Sequence, residues 1–253
     1  MPVRLSFDRV AATYDETRAL SPKVMAHVLG ILVDQLLGKH VLEVGVGTGR
    51  YAVPLQKSGI DVVGVDISHK MVELGLGKGL RNVVLADGAR LPFTARGFDL
   101  ATTNHVLHLV PDWREVLLEI VRVTRDSYFS ILERSGRTTN LHREYDRLAA
   151  DAGYTWSPPG LHERNLPDIL PPDLVMPVGP FEDVVPADLI LEGLEQRSFS
   201  SQWGTPEKIH RQVMRELRHR WSGHEFKHTY SLEISFWRVE HLAELARKPA
   251  QRS

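Results

Sequence analysis

The stretch Val41-Leu42-Glu43-Val44-Gly45-Val46-Gly47-Thr48-Gly49-Arg50 runs an apolar strand straight into a glycine-rich turn that opens a helix. A turn this tight needs residues without a Cβ, so that a ligand can approach the backbone and the helix N-terminus. Glycines that merely close a strand-to-helix corner are the plain alternative, and the strand-then-helix context weakens it. A dinucleotide site spaces its glycines G-x-G-x-x-G; here the third glycine is Gly49, and the position that spacing requires holds Arg50. NAD and FAD are therefore the weaker cofactor classes.

Two acids follow at strand ends. Asp66 closes Val63-Gly64-Val65-Asp66, where a carboxylate can accept both hydroxyls of a ribose. Its other possible duty, capping the next helix, can fall to Ser68. In Ala86-Asp87-Gly88-Ala89, the Asp87 side chain and the amides after it could hold an adenine edge, although Asp-Gly is equally a plain turn former.

The elements that must position these residues alternate. Short β-branched runs at 40–44, 62–65, 83–86, 98–103 and 128–132 read as strands with helical stretches between them, which means crossovers and a parallel sheet. Trp113, Val116, Leu117, Ile120 and Val121 make the apolar stripe of one covering helix. Ser21 and Pro22 open another, with Val24, Val28, Ile31 and Leu32 on its inner face. Pro54 falls in the helix after Gly49 and predicts a kink.

After residue 133 prolines recur at 158, 159, 167, 171, 172, 177, 180 and 186, the mark of an inserted cap. Runs at 184–191 and 230–239 are candidates for the last two strands, and Thr205-Pro206 opens a helix carrying Ile209, Val213, Leu217 and Trp221. The expected organisation is one domain. Residues 1–133 form the core with its N-terminal helices, 134–182 a helical cap, and 183–253 complete the sheet with a second cap helix.

Composition narrows the function. With 31 basic against 32 acidic residues there is no global field to attract a polyanion. No window approaches a membrane span and the first ten residues are not a signal sequence, so a cytoplasmic protein is expected. The 253 residues contain no cysteine, which removes disulfides, thiolate metal sites and covalent adducts through a thiol. No metal is expected.

At the residues quoted above, the pattern resembles the class I S-adenosylmethionine (SAM)-dependent methyltransferases, in particular the small-molecule group related to ubiquinone and menaquinone methylases. Glu43-x-Gly45-x-Gly47-x-Gly49 is similar to their first motif, Asp66 to the ribose-binding acid, and Asp87-Gly88-Ala89 with Leu91-Pro92-Phe93 to the adenine-binding turn. Phe98-Asp99-Leu100, then Asn104, His108 and Val110-Pro111-Asp112-Trp113, resembles their fourth strand and following helix. Phe7-Asp8, Ala11, Tyr14-Asp15 and Arg18 resemble the leading helix that folds over the cofactor. The family usually has a Leu-x-Pro-Gly-Gly turn where Val123-Thr124-Arg125-Asp126-Ser127 stands here.

The resemblance implies a Rossmann-like α/β fold: a seven-stranded, mostly parallel sheet with an antiparallel last strand, helices on both faces, and an inserted helical cap. It implies SAM as cofactor, held by Tyr14, Arg18, Glu43, Gly45, Gly47, Asp66, Ile67, Met71, Asp87, Gly88, Ala89 and Asn104, with Tyr14 and Arg18 covering it and pairing with its carboxylate.

A sulfonium is already a reactive methyl donor, so the protein has mainly to align an acceptor and exclude water. Where the acceptor carries a proton, a base is needed. His105, just past the fourth strand, is the candidate to face it, set against a purely structural role. There is no Asn-Pro-Pro-Tyr after that strand, which argues against amide and exocyclic-amine methylation. The expected partner is a small-molecule acceptor on a monomer or homodimer, without membrane and with nucleic acid disfavoured. Aromatic residues Tyr145, Tyr154, Trp156, Phe199 and Trp203, with His142 and Gln202, either line its pocket or pack the cap. The alternatives are an RNA or protein methyltransferase docking on the basic stretch 208–227, and a non-catalytic SAM-binding protein.

Overall fold

The computed structural model describes residues 7–11, 14–15, 20–133 and 141–247. Its strands are β1 (His40–Val44), β2 (Asp61–Asp66), β3 (Val83–Leu85), β4 (Phe98–Thr103), β5 (Thr124–Glu133), β6 (Leu174–Pro186) and β7 (Glu225–Arg238). They form one sheet in the order β3-β2-β1-β4-β5-β7-β6. β1 to β5 run parallel and β7 lies antiparallel between β5 and β6. The chain reverses direction across the sheet between β1 and β4, and Val44 of β1 lies opposite Val65 of β2 and Thr103 of β4. Such a reversal leaves a crevice beyond the carboxyl ends of the strands.

Helices cover both faces. On one, α1 (Pro22–Leu36) turns Val24, Val28, Leu32 and Leu36 inward and packs beside α2 (Ala52–Lys57) over Val41, Val62 and Phe129. On the other, α4 (Trp113–Val123) and α9 (Val239–Arg247) enclose Leu42, Val44, Tyr128 and Trp237. Val116, Leu117, Ile120 and Val123 of α4 are all at most 1% exposed, each burial stabilising by about 1.5–3 kcal/mol. The remaining core helix, α3 (His69–Gly77), follows β2.

Several sequence expectations need correction. Only the first three residues of the run at 184–191 are strand: β6 ends at Pro186 and Ala187 begins helix α7 (Ala187–Glu195), because Ala187, Leu191 and Leu194 recur at helical spacing and bury together. The strand itself starts at Leu174 and contains Pro177 and Pro180, which an edge position tolerates since its outer side has no ladder to donate to. Pro54 falls in the first turn of α2, which starts at Ala52, and the turn continues past it through Leu55 N–H donating to Tyr51 O at 3.0 Å. At the missing Leu-x-Pro-Gly-Gly turn, α4 ends at Val123 and β5 begins at Thr124 with nothing between them.

The cap is a third cluster. α5 (Leu141–Asp151), α7 and α8 (Glu207–Trp221) bury Leu141, Tyr145, Leu191, Leu194, Val213 and Leu217 against one another. Its helices come from both sides of residue 182, and β6 runs through that boundary. A short helix, α6 (Leu166–Ile169), joins α5 to β6. No helix among the described residues is long and apolar enough to cross a membrane.

Candidate active site

A cavity opens at the crevice, its floor made by the turns after β1, β2, β3 and β4. Gly45 has φ +77°, and a Cβ there would fall 2.2 Å from Val106 Cγ2, so this turn can press against the loop after β4 only with glycine. Gly47 donates its N–H to Asp66 Oδ2 at 2.8 Å, and Ser68 N–H donates to Asp66 Oδ1, also at 2.8 Å. The carboxylate therefore locks the glycine turn to the end of β2. Burial pushes the Asp66 carboxyl up from its ordinary range, against those backbone donors. Ser68 takes the capping role, its hydroxyl accepting from Met71 N–H at 3.2 Å.

Glu43 lies beneath the turn, 3% exposed, and its Oε2 has no hydrogen-bond partner. Burial drives its carboxyl up to about 8, offset in part by the Asn104 amide, the Ala52 backbone and the Arg50 charge. After β3, Asp87 lines the cavity, and its Oδ1 accepts from Ala89 N–H at 2.9 Å. After β4, Asn104 is fixed by Ile131 N–H donating to its Oδ1 at 3.1 Å.

The charge of the lining is one-sided. Among the described residues that line it, Asp66 and Asp87 are acidic and none is lysine or arginine. A diphosphate would meet two carboxylates there without a countercharge; a cation would be favoured.

The N-terminal segment straps over this cavity. Phe7 and Tyr14 line it. Asp8 accepts from the Ser68 hydroxyl and from Lys70 N–H at the start of α3, and Asp15 accepts from the Thr48 hydroxyl at 2.7 Å. On the cap side, Arg9 lies 5.1 Å over the Trp203 ring and Phe7 meets the same ring at 5.0 Å.

Opposite the glycine turn stands a histidine cluster. His105 lines the cavity on left-handed backbone, φ 61°, a conformation that costs a side-chain-bearing residue and collects at functional sites. His108 also lines it, with Nδ1 3.5 Å from Glu163 Oε2. Glu163 is buried, and its Oε1 accepts from Val106 N–H at 2.5 Å and Leu107 N–H at 2.8 Å. Burial alone would raise this carboxyl, yet the neighbouring His108 ring and its charge, the His105 charge and the Leu107 amide hold it low.

Part of the chain is similar to known proteins. Residues 42–129 match the family model described as "Methyltransferase domain". The demethylmenaquinone methyltransferase of Corynebacterium glutamicum is 33% identical over 123 residues, covering 47% of this chain and 53% of that protein. The nocamycin O-methyltransferase of Saccharothrix syringae is 35% identical over 128 residues, covering 47% and 46%. The chain thus spans about half the length of the curated relatives it matches. A SAM-dependent methyltransferase from Thermotoga maritima shares the fold, with a TM-score of 0.52 at 18% identity over 91% of this chain and 97% of that one.

Residues 42–129 thus resemble a methyltransferase domain.

In the structure, the sequence-expected residues Tyr14, Gly45, Gly47, Asp66, Ile67, Met71, Asp87, Gly88, Asn104 and His105 all line one cavity. Glu43 lies below that lining, and Ala89 is outside it with its amide engaged by Asp87. Arg18 lies outside the described residues. None of the seven cap residues proposed for an acceptor pocket lines the cavity. Tyr145 is buried in the cap with its hydroxyl 2.7 Å from His210 Nδ1, Gln202 donates to Leu194 O at 2.8 Å, and Phe199 stacks edge-on to His142. Tyr145, Tyr154 and Phe199 belong to the apolar cluster of the cap. Glu163 was missed: it lies in a proline-broken stretch without periodicity, and Gly160, three positions earlier, is the sole sequence cue to the close backbone contact that brings it in.

Proposed function

We propose that the chain is a SAM-dependent methyltransferase acting on a small-molecule acceptor by in-line transfer. The observation that carries this reading is the charge of the cavity: two carboxylates, no lysine or arginine among its described lining residues, and a buried carboxyl oxygen of Glu43 without a donor beneath it. That set fits a ligand with a sulfonium and an ammonium group and opposes a dinucleotide. When bound, SAM supplies a methyl group already activated for attack.

The protein's own residues would do the rest. Each Asp66 oxygen spends one lone pair on a backbone amide and keeps another for a ribose hydroxyl. Gly45 and Gly47 let the ligand reach the turn, Ile67, Met71 and Asp87-Gly88 would hold the base, and Glu43 with Asn104 the amino-acid end. Tyr14 and Phe7 would exclude water, and His105 would face the acceptor. Pairing of Arg211 with Glu207, Arg218 with Glu195, and Arg220 with Glu216 and Glu144 argues against an RNA docking face on the cap.

Calorimetric titration with SAM, S-adenosylhomocysteine and NAD tests the reading. Micromolar binding of the first two is expected, with NAD inert and affinity reduced at least tenfold in Asp66→Ala. Because Asp66 also ties the turn together, Asp66→Asn and a thermal melt of each variant separate ligand contact from unfolding. Preference for NAD, or no binding of either SAM or S-adenosylhomocysteine, refutes it.

A further inference from the structure

The Glu163–His108 pair is not needed to hold SAM, yet it is built with care. Glu163 is 5% exposed and spends Oε1 on the Val106 and Leu107 amides, which turns Oε2 toward His108 Nδ1 at 3.5 Å. His162 stacks on the His108 ring at a centroid distance of 4.7 Å, and Gly160 N–H donates to the His108 carbonyl at 3.2 Å. His108 lines the cavity, and its buried Nδ1, which makes no hydrogen bond among the described residues, faces the Glu163 carboxylate. A carboxylate facing Nδ1 holds the proton on that atom and leaves Nε2 as the basic one.

Such a base is superfluous for a carboxylate or a free amine, which attack without losing a proton first. A phenol or enol, with a pKa near ~10, is a poor nucleophile until its proton leaves. Around His108 the lining turns apolar, with Val106, Leu109, Val110 and Val116, a surface suited to an aromatic ring.

We propose that His108 is the general base of methyl transfer, that Glu163 is its positioning residue, and that the acceptor is a hydroxyl compound of phenol, hydroquinol or enol type. The proposal rests on the SAM reading above. The acceptor O–H bond breaks and its proton passes to His108 Nε2. The oxygen electron pair forms the new bond to the methyl carbon, and the carbon–sulfur pair remains with sulfur. The charged and titratable groups near His108 are His105, with ring centroids 6.5 Å apart, His162 and Glu163, with Arg164 beyond His162 and Tyr128 reaching the cluster through Thr103. Among them Glu163 is the carboxylate that stabilises the imidazolium.

The test compares the pH profile of kcat/KM in wild type, Glu163→Gln and His108→Gln, with labelled SAM offered with catechol, naphthohydroquinone, benzylamine and thiophenol. In Glu163→Gln SAM affinity should be unchanged. For the hydroxyl acceptors, kcat should fall on the order of tenfold and the acid limb of kcat/KM should move to lower pH. Two results overturn the proposal: an acid limb in Glu163→Gln that coincides with that of wild type, or a wild type that binds SAM but methylates neither hydroxyl probe. If Glu163→Gln fails to fold, His108→Gln, which leaves the Glu163 bonds to Val106 and Leu107 in place, must abolish the acid limb. Wild type that does not bind SAM at all sinks the parent reading instead.

Discussion

Glu43 and Asp66 are both acids under the glycine turn, but their surroundings set them different tasks. Asp66 receives two amide donors; Glu43 keeps one oxygen without any, and burial holds its carboxyl at about 8. A carboxyl whose folded value exceeds its unfolded one binds more protons when folded, so between about 4.5 and about 8 it makes stability fall as pH rises. Glu43→Gln should therefore melt higher than wild type at pH 8 and lose that advantage at pH 5, in thermal scans at both. The same carboxyl predicts that a ligand ammonium displaces its proton. Calorimetry of SAM at pH 7 in two buffers of different ionisation enthalpy should show proton release, absent in Glu43→Gln. These two acids and the glycines were legible in the sequence because a turn and its strand end are local: their spacing is their geometry. Glu163 was not, since it meets the loop after β4 across more than fifty positions, 56 to Leu107, and no period marks its arrival.

At the scale of elements, the loop after β4 and the segment around Gly160 are pressed together with no room to spare. A Cβ at Gly160 would lie 2.0 Å from Leu107 O and 2.3 Å from Val110 O, both rigid backbone atoms. Gly160→Ala should cost about 1–3 kcal/mol, seen as a lowered Tm, and should lower turnover more than SAM affinity, because it displaces Glu163 before it disturbs the glycine turn. β1 and β4 could be bounded from the sequence because their apolar runs are short and flanked by turn formers, and both match the structure at His40–Val44 and Phe98–Thr103. β6 could not. Its prolines read as loop, and the Ala187, Leu191, Leu194 spacing that makes α7 was hidden behind the β-branched Val184-Val185 before it.

Across the whole molecule the charges nearly cancel, 31 basic against 32 acidic, and Arg211, Arg218 and Arg220 of α8 are tied to glutamates of α5, α7 and α8 itself. Retention on immobilised RNA at physiological salt should be no stronger than that of a neutral control, and SAM affinity should change less than twofold between low and high salt. The sheet raises a different matter at its open side. β6 is an edge strand carrying exposed Leu174, Val175 and Val184, the composition that invites another chain to add a strand of its own. Pro177 and Pro180 break the row of amide donors along it, and the register slips between Val178 and Phe181. The prolines that disguised this strand as loop thus act as a guard against self-association, keeping an apolar rim from templating aggregates while the chain stands at high concentration.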